Sequence, residues 1–379
     1  MGPLAGVKII EMKGIGPGPY AGMLFADLGA EVIVVERSRK PSGIALPSSS
    51  DVHSRGKKSI ALNLKSAAGV EALMRLIEGA DMFFEGYRPG VAERLGFGPE
   101  ACLARNPKLI YGRMTGWGQT GPLAKSAGHD INYIAIAGAL AAIGGEDKPV
   151  PPLNLVGDFA AGSLFLVMGM LAALFEAQKS AKGQVIDAAI SDGTANLMSM
   201  FYSYHALGAW STKRNNNMFD GAAHFYDSYE TSDAKFIAIG SIEPQFYALL
   251  LQTAGLDKEV FAEQMNQHKW PELKAQLVEV FKTKTRDQWC DLMEGTDICF
   301  APVLDFTEAP RHRHNVARKA FVEINGLTQP APAPVFSRSV CDTPTAGHDE
   351  GSDTEQVLAD WGFSDEAVAK LKSEGALPE

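Results

Sequence analysis

An imidazole and several carboxyl groups stand at junctions between polar loop and apolar helix, where they could move protons on and off carbon. The segment GHDINYIA, residues 128 to 135, sets His129 beside Asp130 where a turn-forming run gives way to apolar sequence. Asp158, in NLVGDFAAG, repeats the arrangement at the head of a charge-free stretch. Glu243, in IGSIEPQFY, lies at a strand-to-helix junction further on. Burial beside such stretches shifts pKa values, and the N–H groups at a helix start can face a developing oxyanion. Each residue also has a plain structural reading. Asp130 and Asp158 would cap helices, His129 would be a satisfied neighbour, and Glu243 would be an acid in a first helical turn. The chain contains its own comparison: AGHD occurs at 127–130 and again at 346–349, and only the first copy runs into apolar residues. Periodicity alone does not bring the four groups together.

The second chemical feature is cationic. Arg55, Lys57 and Lys58 lie in SRGKKSI, with Lys65 after them; Arg37 and Lys40 follow the second apolar run, and Arg88 and Arg94 flank RPGVAERLG. In an acidic chain, cations gathered at the ends of predicted strands suit a polyanionic ligand. The alternative is a scattered solvated surface. A third feature is the turn GIGPGPYA, where Gly16, Gly18 and Ala21 fit G-x-G-x-x-A and Glu36 ends the next strand. That pattern alone suggests a dinucleotide-binding dehydrogenase. Pro17 and Pro19 lack N–H donors, however, so a tight βα turn with no phosphate on it is the preferred reading.

The elements that must position these groups alternate. VKIIEM reads as a strand, AGMLFADLGA as a helix and EVIVVE as a strand, a βαβ unit that demands a parallel sheet. GVEALMRLIEGA, DMFFEGY, VAERLG and LIYGRMTG continue as helix, strand, helix and strand. The first 200 residues therefore predict a Rossmann-like α/β large domain, completed by residues 330–379. Residues 215–325 predict a smaller α+β domain. It begins with a hairpin in HFYDSYETSDAKFIAIGSI and includes a capping-box pair, Thr285 and Gln288. TQPAPAPVFSR reads as a stiff linker, and the tail from Ser352 as one or two short helices.

Composition bounds the function. With 379 residues, 46% hydrophobic, 21% charged and a net charge of −10, the chain is globular and not a nucleic-acid binder by its totals. Its four cysteines form no C-x-x-C pair, so neither a metal site nor a disulfide framework is expected. A reducing compartment follows by default, and cytoplasm is the expected location. Phe159 to Phe175 carries no charge. It is near the lower limit of about 17 residues for a membrane span, and a helix buried in a large domain is expected instead of membrane insertion.

Together these residues carry a resemblance. GIGPGPYAGMLFADLGAEVIVVER, RGKKSIALNLKS, EGYRPGVAERLGFGPE, RMTGWGQTGP, AGHDINYIA, PPLNLVGDFAAG and EPQFY, in this order, resemble the α-methylacyl-CoA racemase branch of the family III CoA-transferase superfamily over nearly the whole chain. Ser54 departs from the asparagine that the family often has before RGK. The resemblance implies coenzyme A rather than NAD, carried in as part of the substrate, with no resident cofactor. It implies that Arg37, Lys57, Lys58, Arg88 and Arg94 serve the CoA moiety, and Arg55, in the same basic cluster, is a further binding candidate. It implies that His129 and Asp158 are the acid–base pair, that Glu243 hydrogen-bonds the histidine, and that the backbone N–H of Asp130 meets the thioester oxygen. It also implies an interlocked homodimer in which Glu243 comes from the second chain. The activity implied is interconversion of (2R)- and (2S)-2-methylacyl-CoA thioesters, a step of fatty-acid metabolism.

Inversion at one carbon by fixed groups needs a base on each face, with His129 on one and Asp158 on the other. Met198, Met200 and Met218 are candidates for a pliable acyl lining, or ordinary core methionines. The rival on the same fold is a CoA transferase with Asp158 as nucleophile. An NAD-dependent dehydrogenase and a non-catalytic acyl-CoA binder are the remaining alternatives.

Overall fold

The computed structural model describes residues 1–37 and 50–377, the side chain of Arg37 excepted. The chain divides into two compact units: Met1–Ala137, Leu153–Leu197 and Val316–Glu379 form the first, and Gly138–Pro152 and Met198–Asn315 the second. The segment 138–152 thus groups with the second unit, although the sequence placed it within the large domain.

The first unit is built on six parallel strands, β1 (Lys8–Met12), β2 (Glu31–Arg37), β3 (Lys58–Leu62), β4 (Met82–Glu85), β5 (Ile110–Thr115) and β6 (Gln184–Ala189), in the order β3-β2-β1-β4-β5-β6. Parallel strands covered on both faces are continuously apolar, because each face needs its own core. Successive side chains of β1 show this division. Ile10 packs with Ile33, Phe83 and Tyr111 beneath the helix Ala67–Glu78, while Ile9 packs with Val32, Phe84 and Ile110 beneath Pro17–Asp27 and Phe165–Ser180. Strand order reverses between β1 and β4. In such sheets ligands bind outside the carboxyl ends of the strands at the reversal, and there the glycine turn after Met12 and the Arg88 segment after Glu85 emerge.

The charge-free stretch forms a π-helix, Leu155–Leu164, continued by the α-helix Phe165–Ser180. Leu166, Val167, Met170 and Ala173 are buried against the sheet, whereas Leu164, Met168 and Phe175 are exposed. The expectation of a wholly buried helix is corrected: only one face is covered within the chain. The expected linker also begins later than the sequence suggested, since Leu327–Pro330 (β11) pairs antiparallel with Phe321–Ile324 (β10).

The second unit carries a three-stranded antiparallel sheet, β7 (Tyr226–Glu230), β8 (Phe236–Gly240) and β9 (Phe300–Pro302). The helices Pro244–Ala254, Trp270–Phe281 and Arg286–Met293 enclose a core around Phe225, Leu250, Phe281 and Trp289. The Thr285 hydroxyl accepts from the Gln288 N–H at 3.3 Å, and the Gln288 side chain accepts from the Thr285 N–H at 2.9 Å, a reciprocal cap.

One buried acid gives the first unit a pH signature. Glu85, fully buried at the end of β4, is pushed up to about 7 by burial; the Tyr87 N–H and the Arg113 charge oppose this. The native state keeps this proton after the unfolded chain has lost it, so stability falls as pH rises from 4.5 to about 7. Thermal melts across that window should show a flatter pH slope in Glu85→Gln than in the parent. Equal slopes would assign the dependence to another group.

Candidate active site

His129 is the N-cap of the helix Asp130–Ile136, and Asp158 lies on the π-helix; the two helices pack against each other. Several close approaches set the entry angle of the AGHD loop. Tyr133 threads between Gly116, at the end of β5, and Gly128: a Cβ at Gly116 would lie 1.9 Å from its ring, and one at Gly128 2.7 Å. Its ring stands edge-on to Trp117 at 4.7 Å, and its hydroxyl donates to the Gly128 carbonyl. The Asn132 side chain accepts from the His129 N–H at 3.0 Å and closes the first turn. His129 is left exposed, while Asp130 is buried.

The Asp130 carboxylate has a definite task. Its Oδ2 accepts from the backbone N–H of Asp158 at 2.7 Å, tying the histidine-bearing helix to the π-helix. Gly157 is obligatory at this contact, because a Cβ there would lie 2.3 Å from the same oxygen. The Asp130 N–H, at the first helical position, has no acceptor within its own helix.

Asp158 is half-buried and its pKa is raised. Burial is the main cause and the Asp130 charge adds to it; the Asn154 hydrogen bond, at 3.3 Å, and His129 pull the other way. Gly16 forms the opposite wall, since a Cβ on it would sit 3.0 Å from Asp158 Oδ2. Its φ of 69° already favours glycine. Arg88 is exposed, and it acts electrostatically, as Asp158 does, on the Tyr133 hydroxyl. Arg88 and Asp158 thus lie within electrostatic reach of the Tyr133 hydroxyl, and Asp130 and His129 within reach of Asp158. Sequence reasoning missed Asn154, one helical turn before Asp158, and Tyr133. The N-x-x-x-D spacing in NLVGD was the available signal for Asn154.

The remaining cations are not alike. Arg55 makes a bidentate pair with Asp27, at 3.0 and 2.6 Å, and also donates to the Gln329 side chain at 3.0 Å and the Pro330 carbonyl at 2.5 Å. Lys57 Nζ lies 2.6 Å from Glu11 Oε2 and 2.9 Å from the Pro19 carbonyl. Both side chains are buried, at 3% exposure each. Neither Arg55 nor Lys57 presents its charge to solvent in this chain; each is held by a buried carboxylate. Lys58 is half-exposed and paired with Glu31 at 2.8 Å. Arg94 is exposed and lines an open groove of about 770 Å³ with Leu64, Lys65 and Leu95. Lys40 and the Arg37 side chain lie outside the described residues. Glu36 accepts from Ser59 Oγ at 2.9 Å and from Lys13 Nζ at 3.5 Å, so its carboxylate is engaged within the protein.

In the second unit, Glu243 is the N-cap of the helix Pro244–Ala254. Met218 packs partly buried against that unit's core, Met198 caps the helix Ser199–Ala206, and Met200 is exposed. His348, in the second AGHD, bonds through Nδ1 to the Asp353 carboxyl at 2.9 Å.

Comparison with known proteins places this geometry. Residues 4–350 match the model of CoA-transferase family III. The chain belongs to this family. It is 45% identical to an alpha-methylacyl-CoA racemase of Mus musculus over 98% of this chain and 96% of the mouse protein, and 41% identical to the Homo sapiens protein of the same name over the same shares. A crystal structure of a CAIB/BAIF family protein from Brucella suis superposes with a TM-score of 0.80 at 25% identity, covering 95% of this chain and 99% of that one.

Proposed function

We propose that this family III member is an isomerase that interconverts (2R)- and (2S)-2-methylacyl-CoA thioesters by moving the proton on carbon 2. One observation carries the reading: the Asp130–Asp158 bond fastens an imidazole-bearing helix end to a helix whose carboxyl has a raised pKa. A two-base inversion needs one group to return a proton while another removes one, and a carboxyl and an imidazole can take these roles. His129 serves one face of the carbon and Asp158 the other. The enolate oxygen is stabilised by the Asp130 N–H, which the helix leaves without an internal acceptor. Sulfur conjugates poorly with the thioester carbonyl, which makes the α-proton more acidic than an ester's, so no resident cofactor is required.

In the same reading, Arg88, Arg94 and Lys58 face the phosphates and adenine of coenzyme A, with Arg37 beside them, and the groove lined by Lys65 and Arg94 receives the nucleotide end. Arg55 and Lys57 support that surface from below. Glu243 reaches His129 from a second copy of the chain. The exposed apolar strip Leu164, Met168 and Phe175 supports such a homodimer, because a second copy would remove it from water. The free cysteines suit action in the cytoplasm, and the apolar acyl group suits fatty-acid metabolism.

The test is incubation of each enantiomer of a 2-methylacyl-CoA in deuterated water, with an added carboxylic acid as potential CoA acceptor. Deuterium entering carbon 2, with the two enantiomers converging on one mixture, is the expected result. Transfer of CoA to the added acid without exchange would identify a transferase instead.

A further inference from the structure

The turn that faces Asp158 is held by its carbonyls, and its sequence explains why. In Gly16–Pro19 the prolines remove two of the N–H groups that a helix start usually offers. Anchors must therefore come to the acceptor side, where each carbonyl has a second lone pair. Two side chains supply them. Ser163 Oγ lies 2.8 Å from the Pro17 carbonyl and 3.0 Å from the Asp158 carbonyl. Lys57 Nζ donates to the Pro19 carbonyl at 2.9 Å. Ser163 is fully buried, so water does not compete for these contacts.

Ser163 stands five residues after Asp158, the repeat of the π-helix, so its hydroxyl rises over the Asp158 carbonyl and reaches the turn beyond it. Near-contact on the other side of that turn completes the arrangement, since Gly16 abuts Asp158 Oδ2. The glycine wall and the carboxyl are thus fixed relative to each other through one hydroxyl. A π-helical segment often occurs at functional sites; here it puts a serine and an aspartate in register on one backbone.

We propose that Ser163 is a positioning residue for Asp158, locking the Gly16–Pro19 turn against the π-helix so that the carboxyl keeps its place on one face of the substrate carbon. Lys57, paired with Glu11, anchors the far end of the same turn. This inference rests on the two-base reading above, and the two fail differently.

A purely structural serine would slow both enantiomers equally when removed. A positioning serine acts on the Asp158 face alone, because His129 is carried by another helix. The experiment follows deuterium entry at carbon 2 for each enantiomer separately, with Ser163→Ala and the near-isosteric Ser163→Cys. The expected result is a fall on the order of 10–100-fold in exchange for the enantiomer whose proton Asp158 removes. The other enantiomer should exchange within a few-fold of the parent rate, with KM little changed and a shifted pH profile on the affected side only. Ser163→Cys should fall between the parent and Ser163→Ala; if the alanine variant does not fold, it carries the test alone. Equal slowing of both enantiomers would overturn the role of Ser163. Absence of exchange in the parent protein would overturn the two-base reading itself.

Discussion

Asp158→Asn should lose about 10²–10⁴-fold in inversion while still exchanging the proton of one enantiomer. The asparagine amide neither removes nor returns a proton, so a carbanion formed on the His129 side can be reprotonated only from that side. That enantiomer takes up deuterium with retention; its mirror partner does not react. The same variant should gain stability at neutral pH. Burial raises the Asp158 pKa, with the Asp130 charge contributing, so the native state holds a proton that the unfolded chain has released. By linkage the parent loses stability as pH rises from 3.8 toward the raised value. Asparagine has no charge to desolvate, and the Asp130 anchor survives because it grips the backbone N–H. The melting temperature of Asp158→Asn relative to the parent should therefore rise with pH across that window. Exchange of both enantiomers at parental rates would remove Asp158 from the chemistry.

How much was legible beforehand follows from which signals are local. β1, β2, β4 and β5 announce themselves as short apolar runs bounded by turn residues, and the βαβ order then dictates a parallel sheet. β3 did not, because KSIAL follows basic residues that read as a ligand patch, and its partners on the free edge are side chains from the far end of the chain: Asp353 accepts from the Ser59 N–H at 2.8 Å. β6 is an edge strand with exposed residues at its start and carries too little apolar pattern to stand out. For the site, residue type marked His129, Asp130 and Asp158 as candidates, yet the bond joining two of them spans a loop and an excursion into the second unit. Only packing reveals that contact. Ser163 and Tyr133 were silent because each acts through backbone carbonyls, which no side-chain motif advertises. The basic cluster was ambiguous for a related reason. A lysine in sequence carries the same letter whether its ammonium meets water or a buried carboxylate.

Lys57 makes that ambiguity measurable. Its ammonium and the Glu11 carboxylate lie 2.6 Å apart with almost no solvent contact, beneath Gly22, where a Cβ would lie 1.9 Å from Glu11 Oε2. Burial raises the Glu11 pKa and lowers that of Lys57, each opposed by its partner, as for a pair whose members are costly to bury singly. Lys57→Met should accordingly destabilise the protein by about 3–5 kcal/mol, because Glu11 is left buried and unpaired. The double variant Lys57→Met with Glu11→Met should recover most of that loss, since two apolar side chains then occupy the space of two charges. Urea unfolding of the two variants measures the difference directly. A direct phosphate ligand behaves otherwise: its loss leaves the fold intact, raises the KM for the acyl-CoA and gains nothing from a change at Glu11. If Lys57→Met unfolds at the parental urea concentration, the ion pair is not a structural element of this turn, and Lys57 returns to the list of residues that touch coenzyme A.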